Sequence, residues 1–95
     1  MKTVLFIIHT DDQEKIEFAK KFSQALLKKG ADVELFLMSK GVKFAYELKA
    51  FVDKISLCSR NAQELGINEI QGIDFASQYR LSEMVQDSDL IIPLI

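Results

Sequence analysis

The segment Thr3–Ile8 (TVLFII) and the residues that follow it decide the fold. This run is β-branched and aromatic without alternation, which is typical of a strand buried on both faces of a parallel sheet. It leads through residues 9–12 (HTDD) into residues 13–29, where apolar side chains recur every three or four positions, as on one face of a helix. A polar residue of the connecting turn can cap this helix, and Gly30 is expected to end it. A buried strand followed directly by a long amphipathic helix predicts an α/β fold.

Four further strands are predicted, with helices between them. The strands are residues 32–38 (DVELFLM), 53–57 (DKISL), 73–75 (IDF) and 90–94 (LIIPL), and the helices are residues 42–51, 59–65 and 77–86. This alternation over short connections predicts a parallel sheet with helices on both faces, and residues 67–72 are expected to form a loop. Glu34 indicates a strand that is wet on one face and lies near an edge of the sheet. Pro93 lacks an amide hydrogen and belongs at a strand end or on an edge.

Length and composition limit the class of protein. Ninety-five residues correspond to one domain, residues 1–95, and 48% hydrophobic with 27% charged residues is an ordinary globular mixture. Twelve Lys and Arg against fourteen Asp and Glu give a net charge of −2, which supplies no general positive field for nucleic acid. The longest apolar runs fall far short of the roughly 20 residues that span a bilayer. We therefore expect neither nucleic acid nor a membrane as a partner.

Cysteine usage and motifs bear on compartment and cofactors. The single cysteine, Cys58, cannot form an internal disulfide, and the N-terminus lacks the pattern of a signal peptide. We therefore expect a cytoplasmic protein. The chain contains no CxxC, HExxH, GxGxxG or phosphate-loop pattern, so no metal or nucleotide cofactor is expected. Asp11 and Asp12 lack further ligands at a fixed spacing and are expected to cap a helix rather than bind a cation.

Polar and reactive side chains follow the first three predicted strands. The carboxyl ends of parallel strands form the crevice in which α/β proteins bind ligands. The candidate residues at this edge are His9 and Thr10 after the first strand, Ser39 and Gly41 after the second, and Cys58, Ser59, Arg60 and Asn61 after the third. The sequence therefore predicts a binding crevice at this edge of the sheet.

Cys58 is the candidate nucleophile of this crevice. It is expected where a strand gives way to a helix, and the amides and positive dipole at a helix N-terminus favour a thiolate. A partly exposed thiolate there can attack a persulfide, a disulfide or an electrophilic carbon. The alternative is that Cys58 is a small buried hydrophobic residue, as free cysteines often are. His9, the only histidine, either assists the thiol or bonds to backbone in its loop.

With these residues in place, the sequence resembles the DsrE/DsrF-like family, small α/β proteins associated with intracellular sulfur transfer. The resemblance covers nearly the whole chain. The matching features are the turn at residues 9–12 before a long helix, Ser39-Lys40-Gly41-Val42 after the second strand, Ile55-Ser56-Leu57-Cys58-Ser59-Arg60-Asn61-Ala62 followed by Gly66-Ile67, and Gly72-Ile73 before the last helix and the strand that follows Ser88-Asp89.

The resemblance implies a three-layer α/β/α sandwich on a mainly parallel five-stranded sheet, and a homo-oligomer of two, three or six copies. It also implies a role for Cys58, because the cysteine after the third strand carries sulfur as a persulfide in the sulfur-relay members. A sulfur carrier or sulfurtransferase, with donor and acceptor proteins as partners, is therefore the first hypothesis. Ser56 and Ser59 flank Cys58 where some relatives have a second cysteine. The chain is also shorter than is usual in the family between Gly41 and Asp53.

Two other hypotheses stay open. One is a non-catalytic module of the same fold that binds a small ligand or a protein. The other is a thiol redox sensor whose resolving partner comes across a subunit interface. Self-association is expected from the small size and high apolar fraction, and the candidate interface residues are Phe44, Tyr46, Phe51 and Tyr79.

Overall fold

A computed structural model of the chain describes residues 2–67 and 70–95, in which strands and helices alternate. The strands are β1 (Thr3–Ile8), β2 (Asp32–Leu37), β3 (Lys54–Cys58), β4 (Asp74–Ala76) and β5 (Leu90–Leu94). The helices are α1 (Gln13–Lys28), α2 (Ala45–Lys49), α3 (Ser59–Glu64) and α4 (Gln78–Asp87), and a 3-10 segment, Ser39–Phe44, precedes α2. Within the described residues, no helix has the length and apolar character that crossing a membrane requires.

The strands form one parallel sheet in the order β4-β3-β2-β1-β5. The predicted parallel sheet is therefore confirmed, and Pro93 lies on the edge strand β5, where its missing amide hydrogen is tolerated. The prediction that Glu34 marks a strand near an edge is wrong, because β2 is the central strand. Glu34 is half-buried and in register with Lys54 of β3, whose ammonium hydrogen-bonds Asp32 and is also attracted by the charge of Glu34.

Helices cover both faces of the sheet, as the sequence predicted. The steps from β1 to β4 all run in one direction, so right-handed connections place α1, the 3-10 segment, α2 and α3 on one face. The connection from β4 to β5 runs back across the sheet and places α4 on the other face. The larger apolar core lies on the first face and contains the buried residues Phe6, Ile8, Ile16, Ala19, Leu35, Leu37, Val42, Leu48, Leu57 and Ala62.

The face under α4 holds a smaller apolar cluster that includes the candidate nucleophile. Its buried members are Leu5, Phe36, Cys58, Ala76 and Met84. Because side chains alternate along a strand, Leu57 points to the larger core and Cys58 points toward α4. The sheet therefore places the cysteine on the face that a single helix covers.

The segment between β2 and β3 departs from the predicted helix over residues 42–51. A 3-10 segment and the five-residue α2 take its place. Gly41 explains the close packing of the 3-10 segment, because a Cβ there would lie 2.3 Å from the carbonyl oxygen of Ile8. This approach fixes the segment on the carboxyl end of β1. The predicted loop at residues 67–72 includes residues 68 and 69, which lie outside the described residues.

Side chains cap the N-termini of two helices, and the cap of α1 was predicted from the turn before it. The Asp12 carboxylate accepts a 3.1 Å hydrogen bond from the N–H of Glu14 at the start of α1. The Ser77 hydroxyl accepts one of 3.4 Å from the N–H of Arg80 at the start of α4. Ser77 follows β4 directly, so this cap also fixes where α4 leaves the carboxyl edge of the sheet.

Candidate functional site

The carboxyl ends of β2, β3 and β4 border a cavity of about 580 Å³ that is open to solvent. Its lining residues are Met38, Ser39, Cys58, Ser59, Arg60, Asn61, Glu64, Ala76, Ser77 and Gln78. Five of the predicted site residues thus meet at one place, because parallel strands deliver the residues that follow them to the same edge. The cavity has the size of a small-molecule site, and both apolar and polar residues line it.

Cys58 is both the last residue of β3 and the N-cap of α3. Cys58 is 6% exposed and packs in the apolar cluster beneath α4. The same residue is among those that line the open cavity. Cys58 therefore packs against apolar neighbours and also lines the cavity, which combines features of the two interpretations that its sequence position left open.

Gln78 is the polar neighbour of the sulfur that the sequence reasoning missed. Its Nε2 donates a hydrogen bond to Cys58 Sγ over 3.9 Å. The signal that could have found it is positional: Gln78 follows β4, and β4 pairs with β3 so that Ala76 and Cys58 are in register. Extending the carboxyl-end argument from the first three strands to the fourth would have placed Gln78 beside the cysteine.

Asn61 connects the two walls of the cavity. Its Oδ1 accepts a 2.8 Å hydrogen bond from the backbone N–H of Ser39, and its Nδ2 donates one of 3.0 Å to Glu64. Ser39 has φ +52°, a left-handed conformation that is uncommon for a residue other than glycine. The Asn61 amide therefore ties a strained residue after β2 to the first turn of α3.

A second cavity lies on the other side of this link. It has a volume of about 370 Å³ and is lined by Ser39, Lys40, Lys43, Asn61, Glu64 and Leu65. Lys43 forms an exposed 3.4 Å ion pair with Asp11, and the carboxylate of Glu64 accepts from Asn61. Cations and carboxylates are therefore mixed around this second cavity.

The remaining predicted site residues, His9, Thr10 and Gly41, do not line the cavity. The backbone N–H of His9 donates a 2.9 Å hydrogen bond to the carbonyl of Leu94, which extends the pairing of β1 with β5. Because β2 separates β1 from β3, the backbones of His9 and Cys58 are about 10 Å apart, two strand spacings. This arrangement does not place His9 as a direct base for the thiol.

Thr10 and Gly41 have local structural partners. The Thr10 hydroxyl accepts a 3.0 Å hydrogen bond from the N–H of Asp12, and Gly41 lies against the end of β1. These contacts organise the turn before α1 and the 3-10 segment after β2. A binding role for His9, Thr10 or Gly41 stays a prediction.

Comparison with known proteins bears on the fold. No protein-family model matches the chain, and no curated protein matches its sequence. The crystal structure of the YchN protein from E. coli is similar, with a TM-score of 0.77 and 18% sequence identity, over 98% of this chain and 99% of that chain. Identity this low bears on the fold alone. The chain therefore has the predicted fold, a three-layer α/β/α sandwich on a five-stranded parallel sheet, and shares it with YchN.

Proposed function

We propose that the chain is a DsrE-like sulfur carrier that accepts sulfane sulfur on Cys58 as a persulfide and passes it to an acceptor thiol. One observation carries the proposal: Cys58 is among the residues that line an open cavity at the carboxyl edge of the sheet, together with polar residues such as Ser59, Arg60 and Gln78. The fold shared with YchN agrees with the resemblance on which the hypothesis rests. A carrier with one free cysteine fits a reducing compartment, so we propose the cytoplasm as its location.

The chemical step is thiol–disulfide exchange with a persulfide as the disulfide. The Cys58 thiolate attacks the outer sulfur of a donor persulfide. A bond forms between Sγ and that sulfur, the S–S bond of the donor breaks, and the donor leaves as a thiolate. The transferred sulfur keeps its proton or ionises, and no net oxidation occurs. In the delivery step, an acceptor thiolate attacks the outer sulfur of the Cys58 persulfide, and Cys58 leaves as a thiolate.

The N-cap position of Cys58 suits this role. An N-cap side chain stands beside the unpaired amides of the first helical turn, and the sulfur makes no capping hydrogen bond within the described residues. A persulfide extends about 2 Å beyond Sγ, the length of an S–S bond. The cavity beside Cys58 has room for it, and Arg60 and Gln78 provide donors on the cavity wall.

The test is the intact mass of the protein after incubation with glutathione persulfide. We expect wild type to gain one sulfur atom per chain and Cys58→Ser to gain none. Wild type whose thiol has been alkylated beforehand is the matched control, because its fold and surface are otherwise unchanged. The proposal fails if wild type gains no sulfur, or if Cys58→Ser gains as much as wild type.

A second candidate function is a non-catalytic binding module. The low exposure of Cys58, 6%, favours it, because the cavity can hold a small ligand without any reaction at the sulfur. The two candidates differ in the reactivity of the native thiol. A Cys58 that reacts with iodoacetamide only after unfolding supports the binding module, whereas reaction in the folded protein supports the carrier.

We also propose that the chain self-associates. Tyr46 and Tyr79 are 73% and 74% exposed, which is unusual for large aromatic side chains without a partner. Phe44 and Phe51 are half-buried and pack on the core of the chain itself, so they offer less surface. The two tyrosines are therefore the stronger candidates for an interface with a second copy.

A further inference from the structure

The surroundings of the Cys58 sulfur divide into rigid and movable groups. Leu5 and Phe36 are fully buried, and Met84 is 3% exposed. Side chains packed in this way cannot move without opening the core. Gln78, in contrast, is exposed at the first position of α4, and its carboxamide reaches the sulfur at 3.9 Å.

We propose that the Gln78 side chain is a gate that controls how reactants in the cavity reach the Cys58 sulfur. This inference rests on the proposed function, because Gln78 would regulate access to the sulfur that the proposed function makes reactive. With the carboxamide on Sγ, the sulfur has little exposed surface. With the carboxamide turned away, the sulfur faces the cavity.

The energetics of the contact suit a gate. A hydrogen bond to cysteine sulfur at this distance is weak, and an exposed glutamine changes rotamer within nanoseconds. The gate therefore determines the fraction of molecules in which the sulfur is accessible, and it does not add a slow step to the reaction. For a reagent too bulky to pass the closed carboxamide, the reaction rate at Cys58 scales with the fraction of molecules in which Gln78 points away, and a smaller reagent depends less on this fraction.

A different role for the same contact predicts the opposite effect. If the Gln78 N–H served chiefly to stabilise ionised sulfur, its removal would slow the reaction of Cys58. If Gln78 is a gate, its removal accelerates the reaction, and more so for a bulky reagent than for a small one. The sign of the rate change therefore separates the two roles.

The experiment measures the rate at which the folded protein reacts with iodoacetamide and with the bulkier N-ethylmaleimide. We expect Gln78→Ala to raise the rates by about twofold, the effect of losing a hydrogen bond at the weak end of the usual range, with the larger increase for the maleimide. Gln78→Ser removes the same cover and guards against a distortion specific to alanine. Gln86→Ala, an exposed glutamine near the other end of α4, is the matched control and should leave both rates unchanged.

The proposal is overturned if both Gln78 variants, folded by circular dichroism, react at the wild-type rate or more slowly. This result is independent of sulfur acceptance. A protein that shows the acceleration and yet gains no sulfur from glutathione persulfide keeps the gate and refutes the carrier. A protein that gains sulfur without the acceleration keeps the carrier and refutes the gate.

Discussion

The side-chain oxygen of Asn61 lies 2.8 Å from the backbone nitrogen of Ser39 and accepts its hydrogen bond. The two residues are 22 positions apart in the chain, on the segments that follow β3 and β2. Their contact holds the cavity wall together and keeps Ser39 at a positive φ. This hydrogen bond therefore contributes both to the geometry of the site and to the stability of the fold.

Removal of this contact should destabilise the protein. Asn61→Ala leaves the Ser39 N–H without its acceptor, and we expect the free energy of unfolding to fall by about 1 kcal/mol. Urea denaturation measures the change. Gln63→Ala, at an exposed position on the same helix, is the control. Equal stability of the two variants would show that the Asn61 contact contributes nothing.

The buried hydroxyl of Ser23 predicts a stabilising substitution. Ser23 is 1% exposed on the inner face of α1, and its Oγ has no hydrogen-bond partner among the described residues. Ser23→Ala removes an unsatisfied polar group and introduces a better helix former, so we expect a gain of about 1 kcal/mol in unfolding free energy. A loss of stability in urea denaturation would mean that the hydroxyl has a partner or fills space that alanine cannot.

The ion pairs of Lys20 predict that the free energy of unfolding falls at alkaline pH. Its ammonium pairs with Glu47 of α2 and with Glu17 at 3.0 Å, and it lies 5.4 Å from the ring centre of Phe51. Hydrogen bonds to Glu47 first, and then to Glu17, raise the pKa of Lys20 above its ordinary value of 10.5. The charged form is thus favoured in the folded state. Its stabilising contribution is fully present below pH 10.5 and is lost as the pH rises through the raised pKa.

The measurement compares wild type with Lys20→Met in urea at neutral pH and at a pH well above 10.5. Wild type should be the more stable protein at neutral pH, and the difference should shrink at the alkaline pH. Lys21→Met, at an exposed position on the same helix, is the control and should show little difference at either pH. A Lys20→Met deficit that stays constant with pH would point to lost packing of the lysine chain on Phe51 rather than to its charge.

Self-association can be tested at the exposed tyrosines. Light scattering at micromolar concentration should give the mass of an oligomer for wild type. The double variant Tyr46→Ser, Tyr79→Ser should shift toward the monomer, because it removes the two most exposed aromatic rings. Wild type that scatters as a monomer would contradict the proposal, and an oligomer unaffected by the double variant would place the interface elsewhere.

The sequence predicted the elements whose information is local. Thr3–Ile8 is an unbroken apolar run and α1 carries a regular apolar stripe, so both were found to within a residue. The position of Glu34 on the central strand was not predictable, because polarity within one strand does not determine strand order. The break in the helix predicted for residues 42–51 depends on the approach of Gly41 to Ile8, a tertiary contact.

In the candidate site, too, the features set by local sequence were predicted and those set by tertiary contacts were not. Ser39, Cys58 and Asn61 were predicted at one edge because the rule needs only the ends of parallel strands. The separation of His9 from Cys58 and the contact of Gln78 with Sγ depend on which strands are neighbours. Strand order is set by packing of the whole sheet, so one segment alone does not carry it.

The most direct test of the central claim is the mass of the tryptic peptide that contains Cys58, residues 55–60, after exposure to glutathione persulfide and trapping with iodoacetamide. We expect this peptide to carry one extra sulfur atom between the cysteine and the trapping group. A peptide alkylated on an unmodified thiol, with no extra sulfur at any donor concentration, would contradict it.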